Sequence, residues 1–489
     1  MINKNKFNLS SITKSTYKIG DLCPTKVMEL LPGDVVRGSI DSFSRVTPLN
    51  APGFVKLEKV TETFFVPDRQ VWDDADEFHS GGAYGSTPPV YPTMDLYTLY
   101  GGSGIVAGSL ANRMGLPVTT GSGKSTVSAL PFRKFVHIYN TYFWNDNLQS
   151  GKPVLSTASG ADSTTSVANL TVFAKPDYFM RMSPRQKKTS SLLLEIERLT
   201  NAPKWRAHLE NTDTASGNAA IGSDASGYVN NGSDEISFDP RGGLVLNTSE
   251  IRDSLQLLKY FENAQRLGSD KYSDYAAKFF GVPKQDLRLD EPIRLSKAVD
   301  IFRFTEVLQA APNVDATSDE GVAAMKGHGI SGSKGKGFKF FCMEHGHLMT
   351  VEYVRPVETA YHGGIPKMWL KTLKADHFQP DLAHMSQQPV QNRELKSDHA
   401  SPTGTIGYVD IYDEYRSERN NTSGAFDATL NYWHADRKFS SDPAFNAGLL
   451  QVPDTTRLFQ DASSDHIYTL GFHNIKALRV VPKHGMPTV

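Results

Sequence analysis

Residues 60–82 read VTETFFVPDRQVWDDADEFHSGG and set five acids, Asp68, Asp73, Asp74, Asp76 and Glu77, around Trp72. Two carboxylates facing each other across a cleft would cleave a glycosidic bond. A convergent set of them would hold a metal ion. Acids before and inside a short helix, here DDADEF, are also what the helix dipole favours, with no chemistry attached. Glycoside hydrolysis needs a partner acid, and with 53 Asp and Glu in the chain spacing selects none.

Residues 344–352, EHGHLMTVE, offer His345, His347 and Glu352. Two histidines at i and i+2 on a strand share a face, and a carboxylate further along would complete a metal site. The arrangement resembles the first half of the metal motif of cupins. The second half, a Pro-x-Gly turn followed by a histidine, is missing, and polar residues on one strand face account for the same text. GSGKST at 121–126 resembles a phosphate-binding loop, but Val118 stands where the first glycine must be and Pro131 follows closely, so it reads as a flexible Gly/Ser loop. No Gly-x-Ser-x-Gly elbow occurs. The sequence therefore assigns no catalytic residue, no metal ligand and no cofactor.

Basic runs offer different chemistry. Residues 1–20 carry Lys4, Lys6, Lys14 and Lys18, with no acid before Asp21. They read as a basic N-terminal arm, either solvated and poorly ordered or touching a polyanion or a neighbouring subunit. SPRQKK (183–188) is a second run. KGHGISGSKGKGFK (326–339), with Lys334, Lys336 and Lys339, mixes lysine with glycine and reads as a solvated loop or as a segment able to follow a phosphate backbone.

The whole chain sets limits on these readings. A formal net charge of −1 over 489 residues excludes a dedicated, strongly basic nucleic-acid binder but leaves room for local patches. Hydrophobic residues at 39% suffice for a sizeable core. With only Cys23 and Cys342, at most one disulfide forms and a cysteine zinc site does not, so a reducing cytosol is the expected assembly compartment. The N-terminus lacks the apolar core of a signal peptide, and no apolar run spans a membrane.

The elements that must position these residues alternate strands with long insertions. Residues 21–67 read as strands, with a phase change near Glu58–Val60 that suggests a β-bulge. A short helical piece lies near Val106–Met114. After Pro131 a helix is expected, with Phe132, Phe135, Ile138, Tyr139 and Tyr142 on its core face. Residues 211–235 are Gly/Ser/Asn/Asp-rich and cannot contribute much core. Residues 247–267 and 271–281 carry helix signals, the first a capping box from Asn247 to Glu250. Residues 337–357 are strand text whose apolar phase switches, with Gly346 a candidate bulge, and 473–482 form a last strand. Strands, then helices and loops, then strands again do not have the rhythm of a parallel sheet; an antiparallel sandwich or jelly roll with insertions fits.

Several blocks together carry a family resemblance. TETFFVPDRQVWDDADEFHSGG, ALPFRKFVHIYNTYFWNDNLQ, AKPDYFM, IRDSLQLLKYFENAQRLGSDKYSDYAAKFFGVPKQDLRLDEP, EHGH, QPVQNREL, GYVDIYDEYR and YWHADRKF occur in an order that resembles the major capsid proteins of microviruses, nearest to the gokushovirus-like branch. Gln391 stands where an aliphatic residue is usual in that family. The resemblance implies a mainly β fold: a single eight-stranded antiparallel jelly roll, one capsid domain over 1–489, with long loop and helical insertions. It implies an exposed insertion at 188–248, forming a threefold protrusion, and a helical insertion at 249–292. Sixty copies, through pentamers, would enclose circular single-stranded DNA, with no catalysis and no membrane insertion. Implied partners are a small basic DNA-binding protein, a pilot protein, a scaffolding protein and a host surface receptor. The expected location is the virion, after assembly in the bacterial cytoplasm. On this reading Val60–Val66 ends a barrel strand, Pro67 stops it, Trp72 and Phe78 pack beneath a short helix, and the acids face solvent or a neighbour. The seven lysines named above become candidates to face DNA. A jelly-roll receptor- or carbohydrate-binding phage protein is the alternative, and a cupin-type metalloenzyme is a third reading.

Overall fold

The computed structural model describes residues 4–81, 87–121, 126–144, 149, 151–183, 291–308, 325–357, 360–382 and 387–483. The expected loop at 188–248, nearly all of the helical insertion at 249–292, most of SPRQKK and Ser122–Ser125 of the Gly/Ser loop lie outside the described residues. The chain divides into two compact units, residues 1–186 with 267–489, and residues 187–266. All elements named below belong to the first.

In chain order the strands are β1 (Asn5–Asn8), β2 (Ser11–Tyr17), β3 (Cys23–Leu30), β4 (Val35–Val46), β5 (Leu57–Pro67), β6 (Thr93–Asp95), β7 (Thr126–Ser128) and β8 (Ile293–Ile301). They continue with β9 (Arg303–Leu308), β10 (Met325–Ser333), β11 (Phe338–Phe341), β12 (Gly346–Pro356), β13 (Gln387–Gln391), β14 (Thr405–Asp410) and β15 (Ile467–Arg479). The main helices are α1 (Ala75–Ser80), α2 (Leu96–Leu99), α3 (Leu110–Arg113) and α4 (Leu130–Tyr142). The fold is mainly β and its paired strands run antiparallel, as expected.

Two sheets dominate. A seven-stranded sheet runs β1-β15-β4-β10-β9, with β2 also on β15 and β11 also on β4; a four-stranded sheet runs β3-β12-β5-β8. Four of the pairings are nested along the chain: β2 with β15, β3 with β12, β4 with β10, and β5 with β8.

The two central strands of the four-stranded sheet, β5 and β12, are buried on both faces. Val60, Phe64, Val66, Met349, Val351 and Tyr353 point away from the larger sheet, into a core shared with Phe132, Phe135 and Ile138 of α4. Pro131 sits in the first turn of α4, where its missing N–H costs nothing. The opposite face meets the seven-stranded sheet through Leu30, Phe65 and Leu348 against Val36, Ile475 and Ala477. A second apolar cluster brings Leu57 and Val354 against Val46 and Ile467.

Between those clusters lies a charged pair. Lys59 Nζ sits 3.1 Å from Glu352 Oε2, and neither side chain is exposed. Lys59 also donates to Ser42 Oγ (2.8 Å), Ser44 Oγ (2.7 Å) and Thr469 Oγ1 (3.1 Å). Glu352 accepts from Thr61 (3.3 Å) and Thr469 (3.0 Å). Both charges are thus paired and hydrogen-bonded, the condition under which buried ions persist.

Several expectations need correction. The phase change near Glu58–Val60 is not a bulge; the register shift of β5 falls between Thr63 and Phe64, against β8. Polar residues appear in both phases because β5 buries charges on both sides: Lys59 inward, and Glu58 and Glu62 outward, held by Arg355 (2.7 Å) and Lys297 (2.9 Å). Residues 337–357 are two strands in different sheets, not one strand with a bulge at Gly346. Gly346 opens β12 so close to β5 that a Cβ there would lie 2.6 Å from the Val66 carbonyl oxygen. Residues 5–17 are not a loose arm: β1 and β2 anneal to the last strand. The Gly-rich text at 326–333 is strand β10, where Gly329 lets the Phe304 ring approach to 2.6 Å from a Cβ position. The last strand begins at Ile467, earlier than expected. Both cysteines are buried and unbridged.

Glu352→Ala leaves the Lys59 ammonium buried without its counter-charge. We expect it to destabilise the subunit by about 3–5 kcal/mol, and Lys59→Met with Glu352→Leu to recover most of that loss, measured by chemical denaturation. Burial also holds the His473 imidazole down at about 4, against an ordinary 6.5. The unfolded chain takes up this proton first, so His473 stabilises the fold fully above about pH 6.5 and loses that contribution as pH falls towards 4. Wild-type stability should fall by up to roughly 3 kcal/mol across this window. A His473→Gln variant should show a flatter profile.

Candidate nucleic-acid interface

Strand alternation sorts the seven-stranded sheet into two faces. Ser42, Ser44 and Thr469 point inward to Lys59. Their neighbours therefore point outward, and the register places them side by side. Lys14, Leu470 and Phe43 form one row across β2, β15 and β4; Thr16, Tyr468 and Arg45 form the next. Ile12, Phe472 and Asp41 form a third, and Asn8, Lys476, Arg37 and Lys339 a fourth across β1, β15, β4 and β11. Lys6 lies outward beside Leu478.

The composition of this face is lopsided. The outward positions of the described strands β1, β2, β4, β10, β11 and β15 hold Lys6, Lys14, Arg37, Arg45, Lys326, Lys339 and Lys476, and a single carboxylate, Asp41. Arg479, paired with Asp34 (3.0 Å), and Glu306 of β9 are in the opposite phase. Asp41 is already used, accepting from Asn474 Nδ2 and from the Gly335 N–H, both at 3.0 Å. Exposed rings lie among the cations: Phe43, Tyr468, Phe472 and Phe341. Arg45 sits 5.7 Å from the Phe43 ring centre and Lys4 5.2 Å from that of Phe341. A groove of about 520 Å³ opens on this face, lined among others by Lys14, Phe43, Arg45, Arg113, Tyr468 and Leu470. Cations that track phosphates, with flat rings that stack bases, are the elements of single-strand binding.

Of the expected lysines, Lys6, Lys14 and Lys339 lie on this face, and Lys4 at its edge. Lys334 and Lys336 are exposed in the link between β10 and β11. Lys18 sits apart, in the turn after β2. The reading of runs missed Arg37, Arg45 and Lys476. The signal of the two arginines is the two-residue period of RGSIDSFSR in β4, not a cluster along the chain.

The acids and histidines that opened the chemical question go elsewhere. Trp72 is buried, and its indole donates to Ser159 Oγ (2.7 Å), which in turn donates to Asp74. Phe78 packs on Trp72, ring centres 5.0 Å apart, but is itself partly exposed. Asp73 accepts from Thr157 (2.7 Å). Asp68 departs from the expectation of solvent-facing acids: it is buried and bonded to Lys134 of α4. Burial works to raise its pKa, but the neighbouring His347 and the bonded Lys134 ammonium outweigh that and hold the carboxyl well below the usual range. Burial brings the Lys134 ammonium down to about 8. The cupin-like trio does not converge. His345 precedes β12 and stacks on His79 with centres 3.9 Å apart. His347 faces Lys134, so an ammonium stands where a metal would. Glu352 lies on the other face of β12, against Lys59.

Residues 1–489 match the family described as capsid protein (F protein). The chain belongs to this family of capsid proteins. Capsid protein VP1 of Bdellovibrio phage phiMH2K is 26% identical, with 92% of this chain and 88% of the relative aligned. Capsid protein VP1 of Chlamydia phage 1 is 24% identical over 99% and 96%, and that of Spiroplasma virus 4 is 24% identical over 92% and 88%. The microvirus resemblance is thus confirmed. The protein is a structural component of a phage virion that assembles into a capsid shell. Among the described residues no helix of this capsid protein is long and apolar enough to cross a membrane.

The two kinds of acid in this region predict opposite outcomes. Asp68→Asn removes the counter-charge of buried Lys134 and should cost about 3–5 kcal/mol. Asp73→Asn and Asp74→Asn keep an acceptor for their hydroxyl donors and should each cost about 1 kcal/mol or less. Thermal denaturation of the three variants tests the difference; equal losses would place Asp68 among the surface acids.

Proposed function

We propose that this protein is the repeating subunit of an icosahedral shell of sixty copies, built through pentamers, and that the outward face of its seven-stranded sheet lines the interior against circular single-stranded DNA. The observation that carries this reading is the face itself, six outward cations from five strands (Lys6, Lys14, Arg37, Arg45, Lys339 and Lys476) interleaved with exposed rings. A chain with net charge −1 cannot neutralise an enclosed genome in bulk, so what positive charge it has must be concentrated where the strand lies. The remaining neutralisation falls to cations or to a small basic DNA-binding protein. A scaffolding protein, a pilot protein and a host receptor complete the proposed partners. Residues 188–248 are the proposed threefold protrusion.

The nested pairings support a single eight-stranded jelly roll: a long hairpin of four strands out and four back, rolled so that each outgoing strand meets its returning partner. In this reading β1 with β2 act as one strand, β10 with β11 as another, and the two-stranded ladders β6-β7 and β13-β14 belong to insertions.

Ultraviolet cross-linking of intact virions, followed by peptide mapping, tests the face. Nucleotide adducts are expected on Phe43, Tyr468 and Phe472. Adducts confined to other regions would overturn the assignment. A variant carrying Lys14→Glu and Arg45→Glu should still form shells in a density gradient while showing a several-fold loss of nuclease-protected DNA.

A further inference from the structure

A second cluster of polar side chains lies away from this face, where segment 360–362 runs beside segment 434–437. The His362 N–H donates to the Arg437 carbonyl and the Arg437 N–H to that of Ala360, both at 2.8 Å. The junction brings together His362, His434 and Asp436. Both histidines are more than nine-tenths buried.

The hydrogen bonds of the two rings decide where their lone pairs point. His434 Nε2 donates to the Phe426 carbonyl oxygen (2.9 Å), which leaves Nδ1 as an acceptor. His362 Nδ1 donates to Asp427 Oδ1 (2.6 Å), which leaves Nε2 as an acceptor. Both free nitrogens face one carboxylate oxygen: Asp436 Oδ2 is 3.0 Å from His434 Nδ1 and 3.8 Å from His362 Nε2. All three atoms lie within 4.8 Å of one another. His362 Nε2 is buried with no hydrogen-bond partner. Among the described residues the donors to the group come from its rim: Thr422 Oγ1 to Asp436 Oδ2 (2.6 Å), the Ala360 N–H to the other carboxylate oxygen, Oδ1 (2.9 Å), and the Asp436 N–H to His434 Nδ1 (3.3 Å).

Two buried imidazole nitrogens and one partly buried carboxylate oxygen thus converge as acceptors with no donor passing from one to another, and they repel one another unless a cation sits among them. Protons on both rings would set two imidazolium ions with centres 4.9 Å apart. We propose that His362 Nε2, His434 Nδ1 and Asp436 Oδ2 bind one divalent transition-metal ion of the zinc class. Tetrahedral zinc with bonds of about 2.0–2.1 Å spaces its ligand atoms by about 3.3 Å, and the separations of 3.0 and 3.8 Å bracket that value. The outer contacts have the form such sites use: each imidazole donates its other N–H to a carboxylate or a backbone carbonyl. The fourth position is open to water. The ion joins two segments about seventy residues apart in the chain, so its role here is structural.

Assembled particles prepared without chelator, loaded with Zn(II) and dialysed, provide the test, with metal counted per chain by mass spectrometry. Stoichiometric zinc is expected in wild type, with at least a tenfold loss in His362→Gln and His434→Gln. His345→Gln should retain it. Co(II) substituted for zinc should give the intense visible absorption of a tetrahedral site. Sub-stoichiometric zinc in wild type, as for a site that holds only a proton, would overturn the proposal, as would retention in His434→Gln. Should the variants fail to assemble, the wild-type Co(II) spectrum decides: tetrahedral absorption supports the site, and octahedral or absent absorption refutes it.

Discussion

The buried Lys59–Glu352 pair constrains much of what surrounds it. One charge comes from β5 and the other from β12, and the hydroxyls that complete their shells come from β4 and β15 across the gap. Both sheets are therefore locked in register by a polar contact. A slip of one residue in β4 or β15 would withdraw Ser44 or Thr469 and leave buried charge unsolvated. Because strand neighbours alternate, fixing Ser42, Ser44 and Thr469 inward also fixes Phe43, Arg45, Tyr468 and Leu470 outward. The proposed DNA-facing surface is thus specified from behind, by a pair that never touches it.

What was legible in the sequence followed strong, local signals. Helix α4 appeared from its apolar spacing and Pro131, and the end of β5 from Pro67. The family appeared because many weak blocks kept their order. What was not legible depended on tertiary contacts. Strand β10 hid behind glycines that serve close packing against Phe304 and Ala51. The first strands hid behind lysines, which on an outward strand face look the same as lysines on a free arm. Arg133 and Lys134 of α4 are both buried, because Asp162 and Asp68 meet them from segments distant in sequence, which spacing within the helix does not reveal.

The histidines show the same limit from the other side. His345 and His347 looked paired by spacing, but one lies before β12 and the other faces an ammonium. His362 and His434 carried no common signal, and only a parallel bridge between Tyr361 and Arg437 brings them together. Residue type stated the chemistry available, while spacing along the chain misjudged which groups would share it.

The nested pairing of the strands has a kinetic consequence. Its innermost pair, β5 with β8, closes a loop running from residue 67 to residue 293, and its outermost pair waits for β15 near the end of the chain. Loop-closure entropy grows only logarithmically, about 0.6 kcal/mol for each doubling of length, so the innermost link tolerates a long insertion at little thermodynamic cost. Speed is what such an order sacrifices, since few of its contacts are local. On the ribosome, β1 and β2 emerge long before β15 and remain without their partner until that strand has been made. The surface that completes the sheet is therefore the last to form.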